Sequence, residues 1–541
     1  MKRIFTLPYM LIFTMLLLVA MVSCKTIKDI PVEDGGFLFE NLTDDKTYFV
    51  KVNRVSDLCI EGRSYLFDGE LTIEAEPFKV ELPKRGSTMV FSDTIVVSYK
   101  LKRNKSEGYR GWFAVDGANG KKKFLLTYYE LEEYQPLVNR YKNKMFEVER
   151  LSDITYANVK GFWSSIPDDT IDVANIVKIG LINSLKKKDL DLCMDIYIPK
   201  SDTVEKRPLM MFIHGGAFFI GDKATLPYQT LCNHFASLGY VCVSINYRMG
   251  YKMNSKAIER AAYQATQDAH AAMRYLLSKK DIYRIDPDYL FVGGASAGSI
   301  TAMNLAYMRN HNRPKSSYSS LFSEDLGSLE SSGNKIYSKF RIKGVANMWG
   351  TMNDLDMLEN AKVPIISFHG DKDDVLPYGY GYPFMVIGDL QKVLFDKMYG
   401  SSCIHERALE LGIRSELHTF NGKGHGLYLD ADRKLTGDFY TIQDEIVDFF
   451  YAELMPHPVR IIQDKSDCQC FVIDTSDVAS SDWCVVGGVS IEESKGSIRA
   501  SWFDDEAVQE LRVSGYYRNG AGFEDVYVIK NVVKNEGNTY E

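Results

Sequence analysis

Between about residues 190 and 455, short runs rich in apolar residues alternate with longer segments at helical spacing. These strand-like runs are Leu192–Ile198, Leu209–Ile213, Val241–Ile245, Tyr289–Val292 and Val363–Phe368. Continuous apolar runs are typical of strands that are buried on both faces, as in parallel sheets covered by helices. Helical spacing from Ala257 to Lys280 separates the third run from the fourth. The pattern predicts an α/β domain with a mostly parallel sheet and helices on both faces.

The segment on the N-terminal side of this region, from Gly35 to about Tyr141, has a different residue pattern. Here β-branched and aromatic residues alternate with polar ones. Alternation at period two indicates half-buried strands, and we expect a small antiparallel β domain. Trp112 and the many tyrosines either fill its core or form a platform for carbohydrate, and filling of the core is the simpler interpretation. The C-terminal tail has further strand-like runs, with a helix-like segment from Glu506 to Arg512, and predicts a small β-rich region.

The N-terminus carries an export pattern, because Lys2 and Arg3 precede an apolar run from about Phe5 to Val22. A basic start before a short apolar segment predicts a secretory signal peptide. The run ends in Ser23-Cys24, and a small residue directly before Cys resembles the bacterial lipoprotein signal. That resemblance implies cleavage before Cys24, lipidation of its thiol, and an exported protein anchored to a membrane. A plain signal peptide and an uncleaved anchor are the alternatives.

A chain of 541 residues is too long to fold around a single hydrophobic core, so several domains are expected. The predicted segments are a signal peptide at 1–23, a tether at 24–34, a β-rich domain of unknown role at 35–150, the α/β domain at 151–455, and a small appended domain of unknown role at 456–541. The net charge of −8 leaves no basic excess to neutralise phosphates, so no nucleic-acid partner is expected.

The candidate nucleophile is Ser296, in the segment Gly294-Ala295-Ser296-Ala297-Gly298 between a predicted strand and an apolar helix. A serine flanked by small residues at a strand-to-helix turn has the pattern of a nucleophile elbow, a strained turn that needs small neighbours. The start of the following helix also directs free amide groups toward a reacting oxyanion.

A glycine-rich loop, His214-Gly215-Gly216-Ala217-Phe218, follows the strand Leu209–Ile213. Glycines allow the backbone to approach a substrate and to direct N–H groups at an oxyanion. Gly215, Gly216 and Ala297 are therefore the predicted oxyanion-hole donors. His214 is expected to brace the loop, since it precedes the nucleophile and a base in that position has the wrong chain order.

The candidate acid and base follow later strands in the order that this type of site requires. Three aspartates, Asp371, Asp373 and Asp374, come after the strand Val363–Phe368. His425 lies in a glycine-rich loop, Asn421 to Gly426, further along the chain. The predicted base is His425, which transfers protons, and the acid holds its tautomer and stabilises the imidazolium.

With these motifs the region resembles the carboxylesterase and hormone-sensitive-lipase side of the α/β-hydrolase superfamily, and in particular bacterial feruloyl-esterase-like proteins. The segments that carry the resemblance are His214–Phe218, Asn246-Tyr247-Arg248, Asp286-Pro287, Gly294–Gly298 and Gly424-His425-Gly426. The resemblance covers about half of the chain and implies an α/β-hydrolase catalytic domain. It also assigns the acid to Asp373, which occupies the family's position between His-Gly and the following proline, with Asp374 as the alternative. Many relatives have a third glycine where this chain has Ala217, but the backbone amide is retained.

The predicted function is that of a serine esterase acting through Ser296, Asp373, His425 and an acyl-enzyme on a small-molecule or carbohydrate ester. No metal or organic cofactor is expected. The insertions 311–339 and 378–402 are candidates for a lid or pocket wall. Two alternatives remain: a serine exopeptidase on the same fold, and a non-catalytic binding protein that retains the fold.

Overall fold

The computed structural model describes residues 139–166, 186–251, 255–321, 323–503 and 508–531, and before them the backbone of nine strands between residues 35 and 130. The described residues fall into two compact units. One combines the strands before residue 131 with residues 457–518 and 522–531, and the other combines residues 139–456 with Asn519–Ala521. The predicted signal peptide, the tether and Cys24 lie outside the described residues.

The strands before residue 131 form an antiparallel region. They are β1 (Gly35–Asn41), β2 (Lys46–Val55), β3 (Cys59–Phe67), β4 (Thr72–Ile73), β5 (Glu76–Glu81), β6 (Thr88–Phe91), β7 (Ile95–Asn104), β8 (Gly108–Val115) and β9 (Lys122–Glu130). All except β4 form one sheet in the order β5-β3-β2-β1-β9-β8-β7-β6, and every neighbouring pair is antiparallel. The prediction of a β-rich N-terminal region is confirmed. The side chain of Trp112, in β8, lies outside the described part of the structure.

The second unit is built on an eight-stranded sheet. Its strands are β10 (Val148–Gly161), β11 (Lys188–Pro199), β12 (Arg207–Ile213), β13 (Val241–Ile245), β14 (Ile285–Ala295), β15 (Gly344–Met348), β16 (Ile365–Gly370) and, after the short hairpin β17 (Tyr380–Gly381) and β18 (Met398–Tyr399), β19 (Ser415–Phe420). The order is β10-β11-β13-β12-β14-β15-β16-β19. All pairs from β13 to β19 are parallel, and the two pairs at the β10 end are antiparallel. The predicted mostly parallel α/β sheet is confirmed.

Seven α-helices are described in this unit. They are α1 (Leu226–Leu238), α2 (Ser255–Ser278), α3 (Lys280–Tyr283), α4 (Ala297–Tyr307), α5 (Gln391–Leu394), α6 (Ser401–Glu410) and α7 (Gly437–Leu454). Helix α1 ends at Gly239 in the left-handed conformation, and the Thr436 hydroxyl caps α7 by accepting the Phe439 amide. In the described part of the chain, no helix has both the length and the hydropathy that a membrane span requires.

The burial of the central strands explains why they could be predicted from apolar runs in the sequence. Every residue of β12, β13, β15 and β16 is buried, which removes the polar alternation that a half-exposed strand would show. A fully buried Val, Leu, Ile or Phe side chain contributes about 1.5–3 kcal/mol relative to an exposed one. The sheet is therefore a rigid support, and its carboxyl edge positions the loops that follow these strands.

The C-terminal strands belong to the first unit. They are β20 (Ile462–Gln463), β21 (Cys470–Val472), β22 (Val478–Val486), β23 (Gly488–Ser494), β24 (Ser497–Phe503), β25 (Val508–Tyr517) and β26 (Gly522–Asn531). β22, β25 and β26 form one sheet, β20, β21, β24 and β23 form another, and β4 pairs with β24 in parallel. The predicted β-rich C-terminal region is confirmed, but the helix expected at Glu506–Arg512 is wrong over its described residues. Those residues lie in β25, where burial of Gln509, Leu511 and Val513 alternates with more exposed neighbours.

Candidate active site

Four loops that carry predicted site residues emerge from the carboxyl edge of the parallel sheet. Strand β12 leads into the His214 loop, β14 leads into Ser296, and β16 leads into the segment that contains Asp373. The loop with His425 follows β19, the neighbour of β16 in the sheet. Since β12 and β14 are also paired, the sheet brings these distant segments together at one edge, where open α/β folds bind their ligands.

The turn at Ser296 has the backbone geometry of a nucleophile elbow. Ser296 has φ 55° and ψ −121°, a conformation that L-residues rarely adopt, and its amide donates to the carbonyl of Met348 at 2.9 Å. The turn is closely packed, because a Cβ on Gly298 would lie 2.0 Å from the carbonyl oxygen of Ile213. This turn places the half-buried Ser296 side chain at the carboxyl edge of the sheet, directly before the first residue of α4.

The structure brings Ser296, His425 and Asp373 into one hydrogen-bonded line. Ser296 Oγ lies 3.0 Å from His425 Nε2, and His425 Nδ1 lies 2.7 Å from Asp373 Oδ2. With the carboxylate accepting from Nδ1–H, Nε2 is left as the acceptor for the serine hydroxyl. The Asp373 side chain is fully buried, whereas the His425 side chain is 20% exposed and faces the site. The arrangement can remove a proton from Ser296 and return it to a leaving group.

Asp373 is distinguished from the neighbouring aspartates by its contacts. Its Oδ1 accepts the amides of Val375 and Leu376 at 2.8 and 2.9 Å, and Nε2 of His369 lies 3.2 Å from its Oδ2. Burial alone would raise the pKa of this carboxyl, but the hydrogen bonds from His369 and His425 outweigh burial and hold the pKa well below its usual range. The alternative acid, Asp374, is exposed.

A network of buried polar side chains holds the Asp373 carboxylate on the side away from the cavity-lining Ser296. The sequence analysis did not predict this network. His369 Nδ1 lies 2.8 Å from the Ser401 hydroxyl, which accepts from Nδ2 of Asn347 at 3.0 Å, and Asn347 Oδ1 in turn accepts the Ser299 hydroxyl. All of these side chains are buried. Because each group has a partner of the right kind, the network has one consistent donor direction, from Ser299 to Asp373. His369 belongs to the His-Gly pair that precedes Asp373 in the sequence, but no sequence pattern connects His369 to Ser401 or Asn347.

The loop after β12 is held in an unusual conformation, with φ 99° at Gly216 and φ 52° at Ala217. A Cβ on Gly216 would lie 2.0 Å from the carbonyl oxygen of Ile220, so glycine is required there. The amide of Gly215 donates to the hydroxyl of Tyr228 at 3.2 Å. Of the three predicted oxyanion donors, Gly215 thus has its N–H directed to Tyr228 in this structure.

The segment Asn246-Tyr247-Arg248 braces this loop. The Tyr247 hydroxyl donates to the carbonyl of His214 at 2.8 Å, and the two rings stack at 4.4 Å. Arg248 forms a buried ion pair with Asp268 of α2 at 2.7 Å. The His214 Nδ1 lies 2.8 Å from the Gly215 carbonyl, as expected of a residue that braces the loop. These contacts give the resemblance motifs a structural role around the site.

A cavity of about 330 Å³ opens beside Ser296. Its lining combines apolar side chains, including those of Phe218, Ile300 and Leu376, with polar groups of several elements. The two insertions contribute to it, the first through Asn312 and Pro314 and the second through Pro383, Phe384, Phe395, Asp396 and Met398. The segments proposed as a lid or wall therefore line the space in which a substrate would lie next to Ser296.

The parallel sheet, the strained serine turn at the end of β14 and the chain order Ser296, Asp373, His425 together define an α/β-hydrolase domain. Comparison with known proteins agrees with this class. The BD-FAE family model matches residues 194–362, which span β12 to β15 and include Ser296. The α/β domain is therefore similar to carboxylesterases of the α/β-hydrolase class.

Known proteins similar to the chain include esterases and related hydrolases. Gut esterase 1 of Caenorhabditis briggsae is 27% identical over 116 residues, 21% of each chain. Tuliposide B-converting enzyme 1 of Tulipa gesneriana is 31% identical over 129 residues, 22% of this chain and 28% of that one. Each match thus spans less than a third of the relative's length. A structure of Thermogutta terrifontis esterase 2 phosphorylated by paraoxon is 20% identical, with 49% of this chain and 90% of that chain covered and a TM-score of 0.34.

Proposed function

We propose that the protein hydrolyses carboxylic esters, with Ser296 as nucleophile, His425 as general base and acid, and Asp373 as the residue that orients His425. The observation that carries the proposal is the pair of contacts at 3.0 and 2.7 Å that joins the three side chains beside the cavity. The names of the similar proteins, which include gut esterase and arylacetamide deacetylase, favour ester or amide bonds as the target.

In the first step His425 Nε2 takes the proton of Ser296 as Oγ attacks the ester carbonyl carbon. The tetrahedral intermediate collapses when His425 protonates the departing alcohol, which leaves an acyl group on Ser296. Water then attacks the acyl-enzyme, with His425 as base, and the acid is released. Throughout, the ionised Asp373 stabilises the imidazolium, and its low pKa keeps it charged at neutral pH.

For the oxyanion we propose the amides of Gly216, Ala217 and Ala297 as donors, in preference to Gly215. The Gly215 amide is directed to Tyr228, whereas Ala217 and Ala297 line the cavity next to Ser296. Ala297 is the first residue of α4, where the helix N-terminus favours negative charge. Removal of one such donor typically costs about 3–4 kcal/mol of transition-state stabilisation.

The cavity favours an ester with a small acyl group and a polar remainder. Its apolar lining residues, including Phe218 and Ile300, suit a short hydrocarbon, and its polar lining residues Asn304, Asn353 and Asp354 offer hydrogen bonds to hydroxyl groups. An acylated carbohydrate has both features, and we propose this substrate class for the site.

The test is hydrolysis of p-nitrophenyl acetate and butyrate by the full chain and by Ser296→Ala. Loss of the nucleophile should reduce kcat by roughly 10⁴- to 10⁶-fold, because the acyl-enzyme can no longer form. Acetylated xylo-oligosaccharides, with acetate release measured, would then test the carbohydrate assignment. Equal rates in the two proteins, or no hydrolysis by folded wild type, would refute the serine esterase.

The acid is tested by Asp373→Asn beside Asp374→Asn, a matched pair of adjacent carboxylates. Only the first contacts His425, so kcat should fall by about 10⁴-fold in Asp373→Asn and change less than twofold in Asp374→Asn. A comparable loss in both variants would show that the 2.7 Å contact does not select the acid.

An exopeptidase is the second candidate, because Glu259, Asp354 and Asp396 line the cavity and a carboxylate can bind the amino group of a peptide. Hydrolysis of aminoacyl p-nitroanilides faster than p-nitrophenyl esters, with KM raised at least tenfold by Glu259→Gln, would favour it. Rates that depend on the ester bond and not on a free amino group would exclude it.

A further inference from the structure

A second cavity, of about 970 Å³, lies at the opposite end of helix α4 from Ser296. Leu305 and Ala306, in the last turn of α4, line it, whereas Ser296 precedes the first turn. The first cavity extends along α4 as far as Asn304, and Met308 borders both cavities, but Ser296 lines only the first and Arg274 lines only the second. No step of the proposed reaction uses this second cavity.

The second cavity has a buried arginine in its wall. Arg274, on α2, is 1% exposed, and its Nη2 donates to the carbonyl of Ser332 at 2.9 Å and toward that of Asn334 at 3.4 Å. Its Nε and Nη1 have no hydrogen-bond partner among the described residues. The guanidinium also forms no ion pair within the described part of the chain. A buried cation with two unused N–H groups is costly unless an acceptor reaches it.

A second unpartnered group lies in the same wall one helical turn away. His270 is buried, and its Nε2 has no partner among the residues that the structure describes. Burial lowers the pKa of His270 to about 4, so the ring is neutral at physiological pH and can donate one N–H. His270 and Arg274, at i and i+4 on α2, share one face of the helix.

The charges around the second cavity are strongly asymmetric. Its described lining holds the cations Arg274, Arg309, Lys335, Lys339 and Arg341, against the single carboxylate of Glu330. Glu330 is itself hydrogen-bonded by Nδ2 of Asn310 at 3.1 Å and is not within ion-pair distance of Arg274. Such an excess of positive charge in a concave site attracts anions and raises their local concentration.

We propose that this cavity is a binding site for a small organic oxyanion, a carboxylate or a phosphate ester. The oxyanion of the ligand would accept hydrogen bonds from the unused N–H groups of Arg274 and from His270. The exposed Lys335 and Lys339 would supply further positive charge. The apolar part of the ligand would pack on Leu305, Phe340 and Ile342, which line the same space. Because Arg274 is almost fully buried, binding includes a small shift of the lining side chains that opens its Nε and Nη1.

The test measures binding by the full chain with isothermal titration calorimetry, using benzoate, phenyl phosphate and inorganic phosphate as probes. Benzamide, which has the shape of benzoate without its charge, is the control. Benzoate or phenyl phosphate should bind, benzamide should not, and the preferred probe distinguishes a carboxylate site from a phosphate site. Inorganic phosphate binding as tightly as phenyl phosphate would overturn the organic part of the proposal.

Variants separate this cavity from the catalytic centre. Arg274→Gln should weaken binding by roughly tenfold or more, since a hydrogen bond to a charged group contributes about 1.5–3 kcal/mol. If Arg274→Gln does not fold, the exposed pair Lys335→Gln and Lys339→Gln provides the same test and should weaken binding several-fold. Unchanged affinity in the folded variants, no binding by wild type at millimolar probe, or inhibition of ester hydrolysis that is purely competitive would overturn the proposal.

Discussion

At the scale of single residues, the proposed catalytic acid, Asp373, is held by a histidine that does not line the cavity beside Ser296. His369 lies in β16 directly behind Asp373 and places Nε2 3.2 Å from its carboxylate, while Ser401 holds the other ring nitrogen. We regard His369 as a positioning residue: it keeps Asp373 ionised and oriented, and Asp373 in turn orients His425.

His369→Gln should therefore lower kcat by about 10- to 100-fold with little change in KM, which corresponds to the loss of one hydrogen bond to a charged group. His418→Gln is the matched control, because His418 lies opposite Phe368 on the neighbouring strand β19 and has no contact with Asp373. It should retain at least half of the wild-type kcat. Similar losses in both variants would indicate a general effect of altering this part of the sheet.

The same substitution should change how stability depends on pH. The folded pKa of Asp373 lies below the unfolded value of about 3.9, so its ionisation stabilises the fold above that pH. This contribution is lost as the pH falls from about 4 through the folded pKa. Without the His369 donor the folded pKa rises toward the unfolded value, so the pH-dependent contribution of Asp373 becomes smaller and its pH window narrower. Urea unfolding at pH 7, 4, 3 and 2 should show wild type losing more stability on acidification than His369→Gln, and parallel curves would contradict this.

At the scale of elements, the junction of β14 and α4 is the least tolerant part of the site. A Cβ on Gly298 would lie 2.0 Å from the Ile213 carbonyl oxygen and 2.6 Å from that of His214, both backbone atoms of β12 and its loop. The close approach of the Ser296 turn to the loop after β12 therefore depends on the absence of a side chain at Gly298.

Gly298→Ala should destabilise the protein by about 1–3 kcal/mol or more and displace Ser296 enough to reduce hydrolysis about 100-fold. Gly437→Ala is the control, since a Cβ there meets nothing within 4 Å and the residue begins helix α7. That change should leave activity unaltered and stability within about 1 kcal/mol of wild type. Thermal unfolding together with p-nitrophenyl acetate hydrolysis measures both, and equal behaviour of the two variants would contradict the argument.

Elements also show which parts of the fold a sequence can reveal. Fully buried strands such as Val241–Ile245 were located because burial on both faces leaves an uninterrupted apolar run. The helix prediction for Glu506–Arg512 is wrong over its described residues, since the apolar residues at period two are separated by long polar side chains that also favour helices. The contact between Tyr228 and Gly215 could not be foreseen, because it depends on how α1 packs against the β12 loop.

At the scale of the whole molecule, the chain returns to the α/β unit after leaving it at Pro456. Asn519 belongs to that unit: its Nδ2 donates to the carbonyl of Leu454 at 2.6 Å, and its own carbonyl accepts the Tyr141 hydroxyl at 2.9 Å. Asn519, although distant in sequence, therefore provides a hydrogen-bond donor to the last residue of helix α7. Neither contact is visible in the sequence, where Asn519 stands in an ordinary Asn-Gly turn.

Asn519→Ala should destabilise the α/β unit by about 1–2 kcal/mol, because the Leu454 carbonyl loses its side-chain donor. Asn158→Ala, at an exposed hydrogen bond to Asp191, should cost less than about 0.5 kcal/mol. The measurement is the urea concentration that halves ester hydrolysis. A midpoint for Asn519→Ala no lower than that of Asn158→Ala would show that the returning segment adds no stability.

The parallel pairing of Thr72 with Trp502 has a consequence for synthesis on the ribosome. These partners are separated by 430 positions, and elongation proceeds at about 5–20 residues per second, so β4 waits roughly 20–90 s for β24 to emerge. During that interval the complete segment 139–456 leaves the exit tunnel. The part of the α/β unit that precedes Asn519 can thus fold while β4 still lacks its partner strand, and a nascent chain stalled before residue 502 would keep β4 unpaired with β24.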